Sequence, residues 1–174
     1  MSRMTPNKIT ARLAALFLAA ALVSACGIYS FTGTSIQPDV KSITINHFEY
    51  TAATVNPSLS NDLTEALRTQ FRKMTRLEQV DLDGDLEISG KITGYDIRAS
   101  AVTAGEVAAQ TRLTVTISIE FTNRKYPEDD CEKSFSGYAD FDSMQPLESV
   151  QDELCKQIID KLVDDIFNAT VANW

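Results

Sequence analysis

The sequence predicts an α+β fold, a two-layer sandwich with two helices on one face of a four-stranded, mostly antiparallel sheet. Two amphipathic helical stretches and one long alternating strand predict it. A single run of 149 residues after a short leader leaves room for one core and no second domain. Each element follows in chain order.

The first 25 residues stand apart. Arg3, Lys8 and Arg12 form a positive start, and Leu13 to Leu22 is an unbroken apolar run. Ten residues suit the apolar region of a signal peptide and make about half a membrane span. The small residues Ser24 and Ala25 then precede Cys26. Leu22-Val-Ser-Ala-Cys26 matches the bacterial lipobox, whose cysteine receives diacylglycerol and becomes the new N-terminus. The reading is a lipoprotein signal peptide over 1–25, a lipidated leader over 26–39 and one domain over 40–174. Gly27, where an aspartate would favour inner-membrane retention under the enterobacterial rule, favours the outer membrane.

The mature chain, 26–174, has 13 Lys+Arg against 24 Asp+Glu, a net charge of −11. Such acidity argues against a general nucleic-acid binder. Ile43 and Ile45 alternate with Thr44 and Asn46, so 40–50 is the first strand. Pro57 opens a helix whose Leu59, Leu63, Ala66, Leu67, Phe71 and Met74 share one face. Its acids come early and Arg68, Arg72, Lys73 and Arg76 late, matching the helix dipole. These four form the dense positive cluster of the mature chain. They read either as a solvated helix end or as a contact for phosphates and anionic head groups.

Asp81, Asp83 and Asp85 form an acidic turn with Gly84. It lacks the calcium-loop pattern, because Ile92 stands where the twelfth-position glutamate would be. The second strand carries Leu86, Ile88 and Ile92 on one face. Gly90 and Gly94 there mark a bulge or a close backbone approach. Residues 99–106 form a hairpin loop. In 107–122, Leu113, Val115, Ile117, Ile119 and Phe121 alternate with polar residues, as in a sheet covered on one side. A charged turn over 123–132 leads to a fourth strand, Phe135 to Phe141. Pro146 starts the last helix, whose Leu147, Val150, Leu154, Ile158, Leu162 and Ile166 stripe adjoins Cys155, Ile159, Val163 and Phe167. The order is therefore β-α-β-β-β-α.

His47 is the one histidine and has no Cys or His neighbour, so it reads as a strand-end side chain. A His-based nucleophile or metal site has no second member. No enzyme chemistry, metal or cofactor is expected beyond lipid on Cys26. Cys131 and Cys155 lie 24 residues apart in an oxidising compartment, so a disulfide and two separate thiols are equally open.

Three stretches carry a resemblance: Cys26-Gly-Ile-Tyr-Ser-Phe-Thr-Gly-Thr-Ser-Ile36, Phe135-Ser-Gly-Tyr-Ala-Asp-Phe141 and Ile166-Phe-Asn-Ala-Thr-Val-Ala-Asn-Trp174. Together they resemble the outer-membrane lipopolysaccharide-assembly lipoprotein family, the E component of the lipopolysaccharide transport system, in its Bacteroidetes form. The resemblance implies a non-enzymatic subunit on the periplasmic face of the outer membrane. Such a subunit plugs a large β-barrel translocon, assists its assembly and helps deliver lipopolysaccharide to the outer leaflet. It matches Cys26 to the family's anchoring cysteine and leaves Arg68, Arg72, Lys73 and Arg76 as lipopolysaccharide-contact candidates by chemistry alone. The alternatives are a structural lipoprotein of another envelope complex and a lipid-tethered periplasmic ligand-binding domain.

Overall fold

The structure, a computed structural model, describes residues 36–54, 56–100 and 110–172. The leader peptide, Cys26, most of the loop expected over 99–106, and Asn173 and Trp174 lie outside the described residues.

The elements are β1 (Ser42–Ile45), β2 (Glu49–Tyr50), α1 (Leu59–Met74), β3 (Glu78–Gln79), β4 (Leu86–Ser100), β5 (Gln110–Asn123), a 3-10 turn (Pro127–Asp129), β6 (Cys131–Asp142) and α2 (Leu147–Thr170). The α+β class stands, but the sheet has six strands rather than four. Its order is β3-β1-β4-β5-β6, with β2 also paired to β4. The two long ladders, β4–β5 and β5–β6, are antiparallel. The short ladders β1–β3, β1–β4 and β2–β4 are parallel. The parallel pairs follow from connectivity, since α1 carries the chain back between β1 and β3 as a crossover must.

The expected first strand is two strands with a break between them. Asn46 N–H still donates to the Ile88 carbonyl at 2.9 Å. The chain then turns inward, and Phe48 N–H donates to Thr64 Oγ1 on α1 at 3.2 Å. This buries the Phe48 ring completely, against Gly90 of β4. A Cβ on Gly90 would sit 2.4 Å from Phe48 Cε1. Gly90 is therefore the close approach, and the bulge falls at Thr93, where the β4–β5 register slips between Ile92 and Gly94 and turns Gly94 to the face of Thr116 instead of that of Ile92. After the slip Tyr95 points into the core.

Helix α1 buries Leu59, Leu63, Leu67 and Phe71 along one line, while Met74 at its end is half exposed. It stops where Thr75 becomes extended and its hydroxyl donates to the Phe71 carbonyl at 2.7 Å. Helix α2 buries eight residues from Leu154 to Phe167. Each such side chain contributes about 1.5–3 kcal/mol by leaving water. Asn56 beside Cys155 at one end, and Phe71 edge-on to Phe167 at 5.1 Å near the other, set the two helices parallel. They pack on the face that carries Ile43, Ile88, Ile117 and Ala139, and the opposite face is polar.

The acidic turn clasps the start of β1. Asp85 Oδ2 accepts the Lys41 N–H at 2.7 Å and the Ser42 N–H at 3.2 Å. Asp83 takes a left-handed backbone at φ 57°, which aspartate tolerates, and pairs with Arg124 at 2.7 Å. The Lys41 backbone N–H holds the Asp85 carboxyl below its ordinary value, and Arg124 does the same for Glu87. A carboxyl with a lowered folded pKa adds stability above the ordinary carboxylate range. That contribution is lost as pH falls through the folded value. Thermal melts should therefore show a lower Tm at pH 3 than at pH 6, and Asp85→Asn should flatten part of that difference.

Candidate functional site

The four cations at the end of α1 divide into two pairs. Arg68 Nη1 pairs with Glu65 at 2.8 Å, and its Nη2 donates to the Ile45 carbonyl at 2.9 Å. Arg72 Nη2 donates to Gln79 Oε1 at 3.3 Å, while Gln79 Nε2 donates back to the Arg68 carbonyl at 2.6 Å. These two arginines thus bind α1 to β1 and β3. They border a polar cleft of about 360 Å³ that Asn46, His47 and Asp81 also line. Lys73 and Arg76 are exposed and hold no ion pair or side-chain hydrogen bond among the described residues. They are the members of the cluster open to an anion. Helical phase separates Lys73 from Arg72 by about 100°, and Arg76 lies beyond the helix end.

His47 Nε2 stands 3.1 Å from Ser60 Oγ, and that hydroxyl also donates to the Phe48 carbonyl. The pair secures the break after β1 to α1.

The polar sheet face holds a second cationic site that sequence reasoning missed. Arg98 and Arg112 are direct partners in the β4–β5 ladder. Like charges so placed repel. Asp140 on β6 relieves this with a two-pronged pair to Arg112, at 2.7 and 2.8 Å. The Arg112 guanidinium also lies over the Tyr138 ring, 3.8 Å from its centre. Arg98 is exposed, with no partner among the described residues. The two arginines stand 14 positions apart in sequence, and only the hairpin register brings them together.

At the opposite end of the sheet the chain enters the domain. Gln37 Nε2 donates to Asp129 at 2.8 Å, and Tyr126 hydroxyl donates to Asp39 at 2.9 Å. Ile36 packs against the core. Here Lys133 Nζ donates to the Ala169 carbonyl at 3.2 Å, a cation on the open carbonyls of α2. A cleft of about 530 Å³ lies between these groups and includes Cys131.

Cys131 and Cys155 stand as separate thiols. Cys131 neighbours Ala169, whereas Cys155 accepts Asn56 Nδ2 at 3.4 Å. Along α2 those positions are about 20 Å apart, well beyond disulfide reach. Burial pushes the Cys155 thiol up. Native protein at pH 8 should therefore take up iodoacetamide at Cys131 and spare Cys155. Mass spectrometry reads this, and equal labelling before unfolding would contradict the packing.

The lipopolysaccharide-assembly family, LptE, matches residues 40–170. The chain belongs to this family. The matched span in this LptE-family chain takes in every described strand and both helices. No curated protein matches significantly in sequence. Among solved structures, a minor lipoprotein from Acinetobacter baumannii aligns with a TM-score of 0.48 at 12% identity, over 73% of this chain and 89% of that one. A hypothetical protein from Chlamydia trachomatis gives 0.47 at 5% identity, over 76% and 99%. A lipoprotein from Neisseria meningitidis gives 0.42 at 9% identity, over 74% and 99%.

Proposed function

We propose that this LptE-family chain is a lipid-anchored, non-enzymatic subunit of the outer-membrane lipopolysaccharide translocon. It plugs the β-barrel from its periplasmic side, helps the barrel assemble and helps pass lipopolysaccharide to the outer leaflet. The observation that carries this reading is the family match across residues 40–170. The lipobox ending at Cys26 supports the anchor. The polar sheet face supports a place inside a water-filled lumen, because its threonines and serines can exchange hydrogen bonds with water or with a polar wall. Thr116 and Ser136 already join hydroxyls across it at 2.9 Å.

One cationic pair of the α1 cluster is available to lipopolysaccharide phosphates. Lys73 and Arg76 are the free half of the expected cluster. Arg68 and Arg72 serve the same role only if they leave Ile45 and Gln79. Reversing Lys73 and Arg76 to glutamate should weaken lipopolysaccharide binding at least threefold at low salt without changing the fold. Unchanged binding would leave them as dipole-matching charges. Reversing Arg68 or Arg72 would also break packing, so it is less informative.

The test of the reading is a detergent pull-down of the full-length, lipidated protein from its own membranes. Stoichiometric recovery of a large barrel subunit is expected. A monomer free of the barrel, from membranes that contain one, would transfer the protein to another envelope complex.

A further inference from the structure

The two edges of the sheet are unlike. One ends in β3, two residues long. The other is β6, twelve residues or about 40 Å of strand. It contains no proline, and its register with β5 runs without a slip. A long, regular edge of this kind is a template for another strand.

The ladder tells which backbone groups face outward. Arg124 N–H donates to the Asp85 carbonyl at 2.9 Å, which turns the even-numbered residues at that end of β5 toward β4. Asn123 N–H turns the other way, to Asp130 Oδ1 at 2.6 Å. Odd residues of β5 therefore bond to β6, where they meet Cys131, Lys133 and Phe135. The N–H and C=O groups of Glu132, Ser134, Ser136, Tyr138 and Asp140 are left pointing off the sheet. All five residues are exposed, and no backbone bond reaches them from other described residues. The Asp142 carbonyl, next in phase, accepts Gln145 N–H and ends the open row. Beneath the same edge Phe135 and Phe141 are only half buried.

We propose that β6 is a strand-addition site, and that its occupant is an extended, positively charged segment of the barrel subunit. The source of the segment rests on the reading under Proposed function. Its charge follows from this chain, because residues 126–174 hold 12 acids against three bases. A second copy is disfavoured on the same ground. Antiparallel β6 pairing centred on Gly137 would set Glu132 against Asp142. Main-chain bonds along the edge supply the grip, and apolar side chains of the added strand cover Phe135 and Phe141.

Proline at position 136 removes one outward N–H and leaves the β5 ladder intact, as edge strands allow. In the lipidated full-length protein, Ser136→Pro should cut recovery of the barrel at least tenfold, with Tm within a few degrees of the parent. Ser136→Ala, which keeps the N–H and loses only the hydroxyl bond to Thr116, should recover several times more barrel than Ser136→Pro. A photoreactive side chain at Ser134 in an otherwise unchanged chain should crosslink to the barrel, whatever the proline does to folding. Folded Ser136→Pro that recovers the barrel fully would overturn the edge site and leave the translocon reading in place. A Ser134 crosslink to residues 26–35 or to a second copy would overturn it too. A parent protein that recovers no barrel would remove both.

Discussion

Replacing Cys26 with alanine is expected to move the protein out of the membrane fraction or leave residues 1–25 uncleaved. The apolar run from Leu13 to Leu22 is about half the length needed to span a bilayer. Among the described residues, no helix is long and apolar enough to cross a membrane. On the lipoprotein reading proposed above, the anchor is the lipid on Cys26. Two or three acyl chains on one cysteine hold a protein at a bilayer, whereas one chain does so only marginally. The acidic domain would gain nothing from anionic lipid, so loss of the cysteine should leave little residual binding. Fractionation together with mass spectrometry of the N-terminus measures it. Unchanged lipidation in Cys26→Ala would refute the lipobox assignment.

Gly90→Val should destabilise the sheet strongly. Its Cβ alone would lie 2.4 Å from Phe48 Cε1, and the ring has no exposed side toward which to move. Overpacking of this kind costs about 3 kcal/mol. In a domain of this size that lowers Tm by roughly 6–12 °C. Phe48→Ala alone should cost about 3–5 kcal/mol through the cavity it leaves. The double variant should lose less than the sum of the two, by about 1–3 kcal/mol, because each removes the other's clash or void. Strict additivity in denaturant melts would show that the two residues do not share one space.

The long elements were legible because their burial repeats. Leu113 to Phe121 alternates without error, and Leu59, Leu63, Leu67 and Phe71 return every fourth residue. A two-residue strand has no period, so β3 was not, and β2 was legible only as the end of the expected strand over 40–50. The break at Asn46–Phe48 was hidden for a different reason. Phe48 is buried by a turn of the backbone, and it fills a space that only the distant Gly90 leaves open. Strand β6 starts at Cys131, four residues before the expected Phe135; Glu132, Lys133 and Ser134 give that stretch no apolar alternation to mark it. Lys133 lies on the inner face but reaches past the covering helix to the Ala169 carbonyl.

Charge was legible as composition and not as position. Arg68, Arg72, Lys73 and Arg76 form one cluster in sequence, yet hydrogen bonds hold the first two inward and leave the last two free. Arg98 and Arg112 form no cluster in sequence and are neighbours in the sheet. The register that joins them depends on the bulge at Thr93, whose place the sequence left open. The separation of Cys131 from Cys155 depends in turn on where β6 begins along α2.

The proposed role is in lipopolysaccharide export through the barrel. Depleting the protein in its own cells measures it most directly, with the barrel followed by heat-modifiable gel mobility and lipopolysaccharide by surface labelling. Folded barrel and surface lipopolysaccharide should decline together, before other outer-membrane proteins change. Folded barrel and surface lipopolysaccharide that both persist at normal levels after depletion would contradict it.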